Sequence, residues 1–129
     1  MRSLFSVLAL TTVLFFAACG DSHNVEIHFH NPTNGAVVPV ANASALTIDI
    51  DFSSDEELHD IEIKLYPSAA PDDLIIDYDG HVHESEYVFE QDVDLSSFDS
   101  GTSFAIQVTV CENHDCTVSK IQEILFTIE

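Results

Sequence analysis

The sequence predicts an all-β domain, a sandwich of about seven strands, carried behind an N-terminal export and anchoring signal. Three observations lead there. Apolar and polar residues alternate with period two through most of the chain beyond residue 24, the pattern of strands with one face buried and one in water. Clusters of Asn, Pro, Gly, Ser and Asp interrupt these runs at intervals of roughly ten residues. No segment carries a helical apolar period for longer than a turn or two.

Residues 1–18 read as a lipoprotein signal peptide. Arg2 supplies the positive start, residues 4–16 are largely apolar, Ala17 and Ala18 are the small residues before a cut, and Cys19 follows at once. A lipoprotein signal needs a thiol there to take the diacylglycerol and become the new N-terminus, with palmitate-type acyl chains as the anchor. The apolar run is shorter than the ~20 residues that span a bilayer, which disfavours a retained helix. A plain cleaved signal is the other alternative. Residues 19–24 form a short polar leash, and residues 25–129 the domain. Gly20, not Asp, follows the cysteine, which favours the outer membrane, on its periplasmic face or the cell surface.

The strands follow in order. Val25, Ile27 and Phe29 alternate with Glu26, His28 and His30, and a turn follows at residues 31–35. Leu46, Ile48, Ile50 and Phe52 alternate with Thr47, Asp49 and Asp51 before a turn at residues 53–57. Ile61, Ile63 and Leu65 form the next buried face, ended by the turn-rich residues 67–73. Asp79-Gly80 reads as a turn ahead of a strand through Tyr87 and Phe89. Beyond the turn at residues 96–101, Phe104, Ile106, Val108 and Val110 define another strand, and Ile124, Phe126 and Ile128 the last. Lys120 and Ile121 are out of step with that last strand, which suggests a bulge. This spacing matches an immunoglobulin-like or fibronectin-III-like β-sandwich, with a small barrel as the alternative. The absence of Trp, and of a cystine spaced to join two sheets, argues against a true antibody-type domain.

Charge narrows the partners. The net charge is −20, and once the signal is removed only Lys64 and Lys120 stand against 23 acidic residues. Nucleic acid is excluded, because phosphate binding needs Lys and Arg to displace counterions. Anionic lipid would repel such a surface, so membrane residence rests on acyl chains, each buried CH₂ contributing about 0.8 kcal/mol. With Cys19 assigned to lipid, Cys111 and Cys116 are left as an even pair. A disulfide closing a four-residue hairpin loop is the expected arrangement; a redox or metal-binding thiol pair is the alternative, which the C-x₄-C spacing weakens.

N-P-T-N-G-A-V-V at residues 31–38, D-E-E-L-H-D-I-E-I at 55–63, H-V-H at 81–83 and V-D-L-S-S-F at 93–98 together resemble a family of bacterial lipoproteins with a histidine-containing immunoglobulin-like domain of unknown function. The resemblance implies a lipid-anchored sandwich and supplies no activity or catalytic residue.

Seven histidines, His23, His28, His30, His59, His81, His83 and His114, are the compositional excess with a chemical reading. His28/His30 and His81/His83 are H-x-H pairs, and on a strand the i and i+2 side chains share one face about 7 Å apart, close enough to converge on one ion. The solvent-facing phase of His28 and His30 offers a bland alternative, while the phase of His81 and His83 runs into Tyr87 and Phe89 and points them inward unless the strand breaks. His59, in phase with Ile61, is a third candidate at a strand start. Zinc, copper(II) or nickel(II) suit imidazole; the lone methionine is the initiator, which excludes a thioether-rich copper(I) site. Calcium is a lesser candidate, through Asp55, Glu56, Glu57 and Asp60 or through Asp77 and Asp79, without EF-hand spacing. Neither a G-x-S-x-G elbow, an H-E-x-x-H pair nor a phosphate-cradling glycine loop occurs, so no catalytic residue is assigned and no enzyme is expected. The sequence therefore points to a lipid-anchored envelope module binding a divalent metal. The alternative is a structural or adhesive lipoprotein presenting a sheet edge or loops to a protein partner.

Overall fold

The computed structural model describes residues 24–129; the signal peptide, Cys19 and His23 lie outside the described residues. Among the described residues the elements are β1 Val25–Asn31, β2 Ala36–Val38, a 3-10 helix Val40–Ala45, β3 Leu46–Ser54, β4 Asp60–Pro67, β5 Ile76–His81, β6 Glu86–Val93, β7 Ser103–Cys111 and β8 Ser119–Ile128. They form a three-stranded sheet, β1-β3-β6, and a five-stranded sheet, β2-β8-β7-β4-β5. Only β2 with β8 pairs in parallel; the other pairs are antiparallel.

The alternation drives this packing. Ile48, Ile50 and Phe52 of β3 share one buried core with Ile61, Ile63 and Leu65 of β4, Phe104, Ile106 and Val108 of β7, and Phe126 and Ile128 of β8. Each such side chain contributes roughly 1.5–3 kcal/mol on burial. A one-residue slip of any of these strands would turn its apolar set into water, so the register is strongly specified. The chain is therefore an all-β sandwich, as its sequence predicts.

Three local expectations are corrected. Asp79-Gly80 is not a turn but lies inside β5, with Gly80 opposite Ile61. The Tyr78 ring lies over Gly80 where a side chain would otherwise stand, a close approach that glycine permits in a strand. No bulge interrupts β8, which pairs with β7 from Ser119 opposite Cys111 to Thr127 opposite Ser103; the register shift falls in β1, between Phe29 and Asn31. Lys120 is out of step because its Nζ reaches inward and donates to the Val25 carbonyl at 2.6 Å, leaving Ile121 63% exposed on the outer face. The β7–β8 connection is longer than four residues, since it is closed by Glu112 N–H to the Val118 carbonyl at 2.8 Å. The strand through His81 does break, β5 ending at His81 and a new strand beginning at Glu86, which places His81 and His83 at a strand end.

The chain changes sheets at residues 31–35, where a cis Asn31–Pro32 peptide is followed by Gly35 at φ 78. That backbone region favours glycine. Gly35 N–H donates to the Leu125 carbonyl at 2.7 Å and starts β2 along β8. With the strand directions so fixed, the starts of β1, β4, β6 and β8 and the ends of β3, β5 and β7 gather at one end of the sandwich. The Lys120–Val25 bond ties the two sheets together there.

Candidate metal site

That end collects four histidines from three segments. Because β4 lies between β5 and β7, the residues before β4, after β5 and after β7 are neighbours. His59 immediately precedes β4, His81 closes β5, His83 follows two residues later, and His114 lies in the β7–β8 connection. His59 is buried, with 6% exposure, and its carbonyl accepts the Val82 N–H at 2.9 Å. This extra rung buries Val82 and so turns His81 and His83 to the opposite side.

The His59 ring is the hub. Its centroid lies 5.0 Å from that of His114, 6.3 Å from His83 and 6.5 Å from His81, and the His81 and His83 centroids are 4.5 Å apart. A zinc–nitrogen bond of about 2.1 Å places each ring centroid about 3.2 Å from the ion, so tetrahedral imidazole ligands have centroids about 5 Å apart. These four spacings bracket that value, while no three of the four residues have ligand nitrogens within 4.8 Å of one another as the rings stand. The rings meet edge to face, with interplanar angles of 88° for His81–His83, 89° for His59–His83 and 72° for His59–His114. Turning their nitrogens onto one ion takes side-chain rotation of the exposed His81, His83 and His114 around the fixed His59.

A carboxylate holds one of these rings and stands near a second. His81 Nδ1 lies 2.5 Å from Asp60 Oδ1, and His83 Nδ1 lies 3.8 Å from Glu57 Oε2. The carboxylate bonded to His81 Nδ1 favours the tautomer that leaves Nε2 as a ligand, the usual second partner of a metal-bound histidine. Asp60 also faces the bridge: its carboxylate oxygen and the sulfurs of Cys111 and Cys116 all lie within 4.8 Å of one another, the one such group of His, Cys, Asp and Glu ligand atoms among the described residues. The two cysteines form the expected disulfide, with Cα atoms 4.9 Å apart.

The other candidates are placed elsewhere. His28 and His30 face solvent from β1 in the three-stranded sheet, His28 Nε2 at 3.4 Å from Glu26 and His30 Nε2 at 2.7 Å from Asp51. They are not brought to the histidine cluster. Asp77 and Asp79 stand on β5 opposite Lys64 and Glu62, so they line a strand and not a calcium-type loop. There the Glu62 carboxylate bonded to the Lys64 ammonium, joined by the charges of Asp77 and Asp79, holds the lysine above its ordinary value. Asp55 accepts the Asn24 N–H at 2.8 Å. Sequence reasoning singled out no ligand role for His114, because the closeness of the β7–β8 connection to His59 is set by sheet order and not by spacing along the chain.

No protein-family model and no curated protein sequence matches the chain. Among solved structures it is similar to the CARDB domain of a Pyrococcus furiosus protein in complex with di-metal ions, with a TM-score of 0.53 and 11% identity over 84% of this chain and 94% of that one. A β-glucosidase from Listeria innocua in complex with glucose is matched over 81% of this chain and 16% of the enzyme, at 11% identity and a TM-score of 0.38; that likeness carries no argument. The first shows the sandwich fold and assigns no role to any residue.

Proposed function

We propose that the chain is a divalent-metal-binding module of the cell envelope, anchored by lipid on Cys19, whose ligands are His59, His81, His83 and His114. The observation that carries this reading is the clustering of four imidazoles from three segments, the other three rings lying 5.0–6.5 Å from that of His59, from where side-chain rotation brings them onto one ion. The Asp60 carboxylate on Nδ1 of His81 supports it by leaving Nε2 of that ring as a ligand. An all-nitrogen set suits zinc, copper(II) or nickel(II) better than calcium. The CARDB domain of like fold was solved with di-metal ions, which agrees with the reading without transferring any ligand. Membrane anchoring and outer-membrane residence belong to this proposal and rest on the signal sequence.

Calorimetry with zinc, copper and nickel chlorides decides the matter. We expect micromolar or tighter binding of one of them, weakened at least tenfold by His81→Ala with His83→Ala and unchanged by His28→Ala with His30→Ala. Binding no tighter than millimolar, or binding indifferent to the first pair, refutes the histidine cluster.

A second reading, a lipoprotein that docks on a protein partner, is favoured by one feature. Ile121 and Leu125 of β8 and Val37 of β2 are exposed together along the outer edge of the five-stranded sheet. A pull-down that survives chelator and is lost in Ile121→Glu would support it.

A further inference from the structure

We propose that reduction of the Cys111–Cys116 bridge creates a second metal site at this end of the sandwich, formed by the two thiolates, the Asp60 carboxylate and Nδ1 of His81. It goes beyond the imidazole cluster, since Cys111, Cys116 and Asp60 are not ligands of that set and His81, the one shared residue, offers its Nδ1 here. The Asp60 oxygen and both sulfurs already lie within 4.8 Å of one another. His81 Nδ1 lies 2.5 Å from the same carboxylate. Zinc–sulfur bonds of about 2.3 Å and zinc–oxygen and zinc–nitrogen bonds of about 2.0 Å require ligand atoms roughly 3.3–3.8 Å apart in a tetrahedron. A shift on the order of 1 Å per atom therefore closes the two sulfurs and the Asp60 oxygen on one ion, and His81, bonded to the same carboxylate, completes the set by side-chain rotation.

Two further features favour it. The loop is held by bonds that do not involve sulfur: Asn113 accepts the Cys116 N–H on its carbonyl at 3.0 Å and the Val118 N–H on its Oδ1 at 3.0 Å, and its Nδ2 donates to Thr117 at 2.5 Å. Both thiols thus stay near Asp60 after the bridge opens. Cys116 is exposed and holds a left-handed φ of 51, an accessible and backbone-strained position of the kind found in reducible bridges.

The chemistry balances simply. A dithiol reductant passes two electrons and two protons to the bridge, becoming a disulfide itself as the S–S bond breaks to two thiols; the divalent ion then displaces both thiol protons and is held as a dithiolate.

The test uses cobalt(II) on the purified chain, oxidised or reduced by a water-soluble phosphine, which takes up oxygen from water as the phosphine oxide. We expect a near-ultraviolet thiolate-to-cobalt charge-transfer band, with four-coordinate ligand-field absorption, in the reduced protein alone. Asp60→Asn should weaken cobalt binding at least tenfold. His83→Ala with His114→Ala, which removes half of the imidazole cluster, should leave the band intact. Circular dichroism of the reduced protein confirms that the sheet persists. A folded, reduced protein without the band, or a band indifferent to Asp60→Asn, overturns the proposal. Loss of metal binding in the oxidised protein alone refutes only the imidazole cluster.

Discussion

At the scale of single residues, Tyr78 and Tyr87 do more than fill space. Their hydroxyls share a hydrogen bond of 2.6 Å, joining the edge strand β5 of one sheet to the edge strand β6 of the other. Burial, and then the bond to Tyr78, push the Tyr87 phenol up from 10.0 to about 12. A phenol that keeps its proton longer when folded gives a contribution complete below pH 10, lost as pH rises from 10 to about 12. Solvent screening at this partly exposed site limits it to about 1 kcal/mol. Urea unfolding at pH 9 and above pH 11 should show that Tyr87→Phe flattens this alkaline loss. Gly80→Ala places a methyl group against the Tyr78 ring and should cost about 1–3 kcal/mol in the same assay, with partial recovery when Tyr78 is also shortened. Neither residue was legible in this role. A Gly after an Asp signals a turn in the sequence, and only the ring folded over it explains a glycine in a strand.

At the scale of elements, legibility followed the completeness of alternation. Strands β3, β4 and β7 bury every second side chain, so their bounds and inward faces could be read directly. Strand β5 carries a single buried residue, Ile76, and gave no such pattern; β8 was read only where Ile124, Phe126 and Ile128 alternate, because Lys120 turns inward to cap a carbonyl on the opposite sheet. The β7–β8 connection shows the same limit. Its cystine was legible from cysteine count, but the pairing that closes it at Glu112 and Val118 depends on Asn113. Replacing Cys111 and Cys116 by Ser should destabilise the domain by about 2 kcal/mol, the amount expected for so short a loop. Hydrogen exchange should locate the loosening at residues 112–118. In the same variant the metal affinity of the imidazole cluster should fall, since the tip that carries His114 is less firmly placed against His59.

At the scale of the whole molecule, the described residues share one contiguous core, enough apolar burial that the sandwich is expected to fold without an ion. Chelator should leave its circular dichroism unchanged. Ion binding to the folded form alone adds about 2.7 kcal/mol at a hundredfold excess over Kd, and for a domain of this size that is a rise in Tm on the order of 10 °C. Scanning calorimetry with and without zinc checks both statements, and a Tm indifferent to every metal offered would contradict the proposed function. Two of the site's parts, His81/His83 and His59, could be named from sequence as separate candidates. Their union with His114, and the separation of His28 and His30 from them, are consequences of sheet order.

The tie between Lys120 and Val25 has a directional meaning. It fixes the first residue of β1 at the histidine end of the sandwich, so the chain enters the domain at that end. Fully extended, a leash of residues 19–24 spans at most about 20 Å. A lipid on Cys19 would make the protein hang with its imidazoles toward the bilayer and its opposite end toward open solvent. Ions would then enter the site from the thin aqueous layer above the headgroups, where anionic lipid enriches divalent cations.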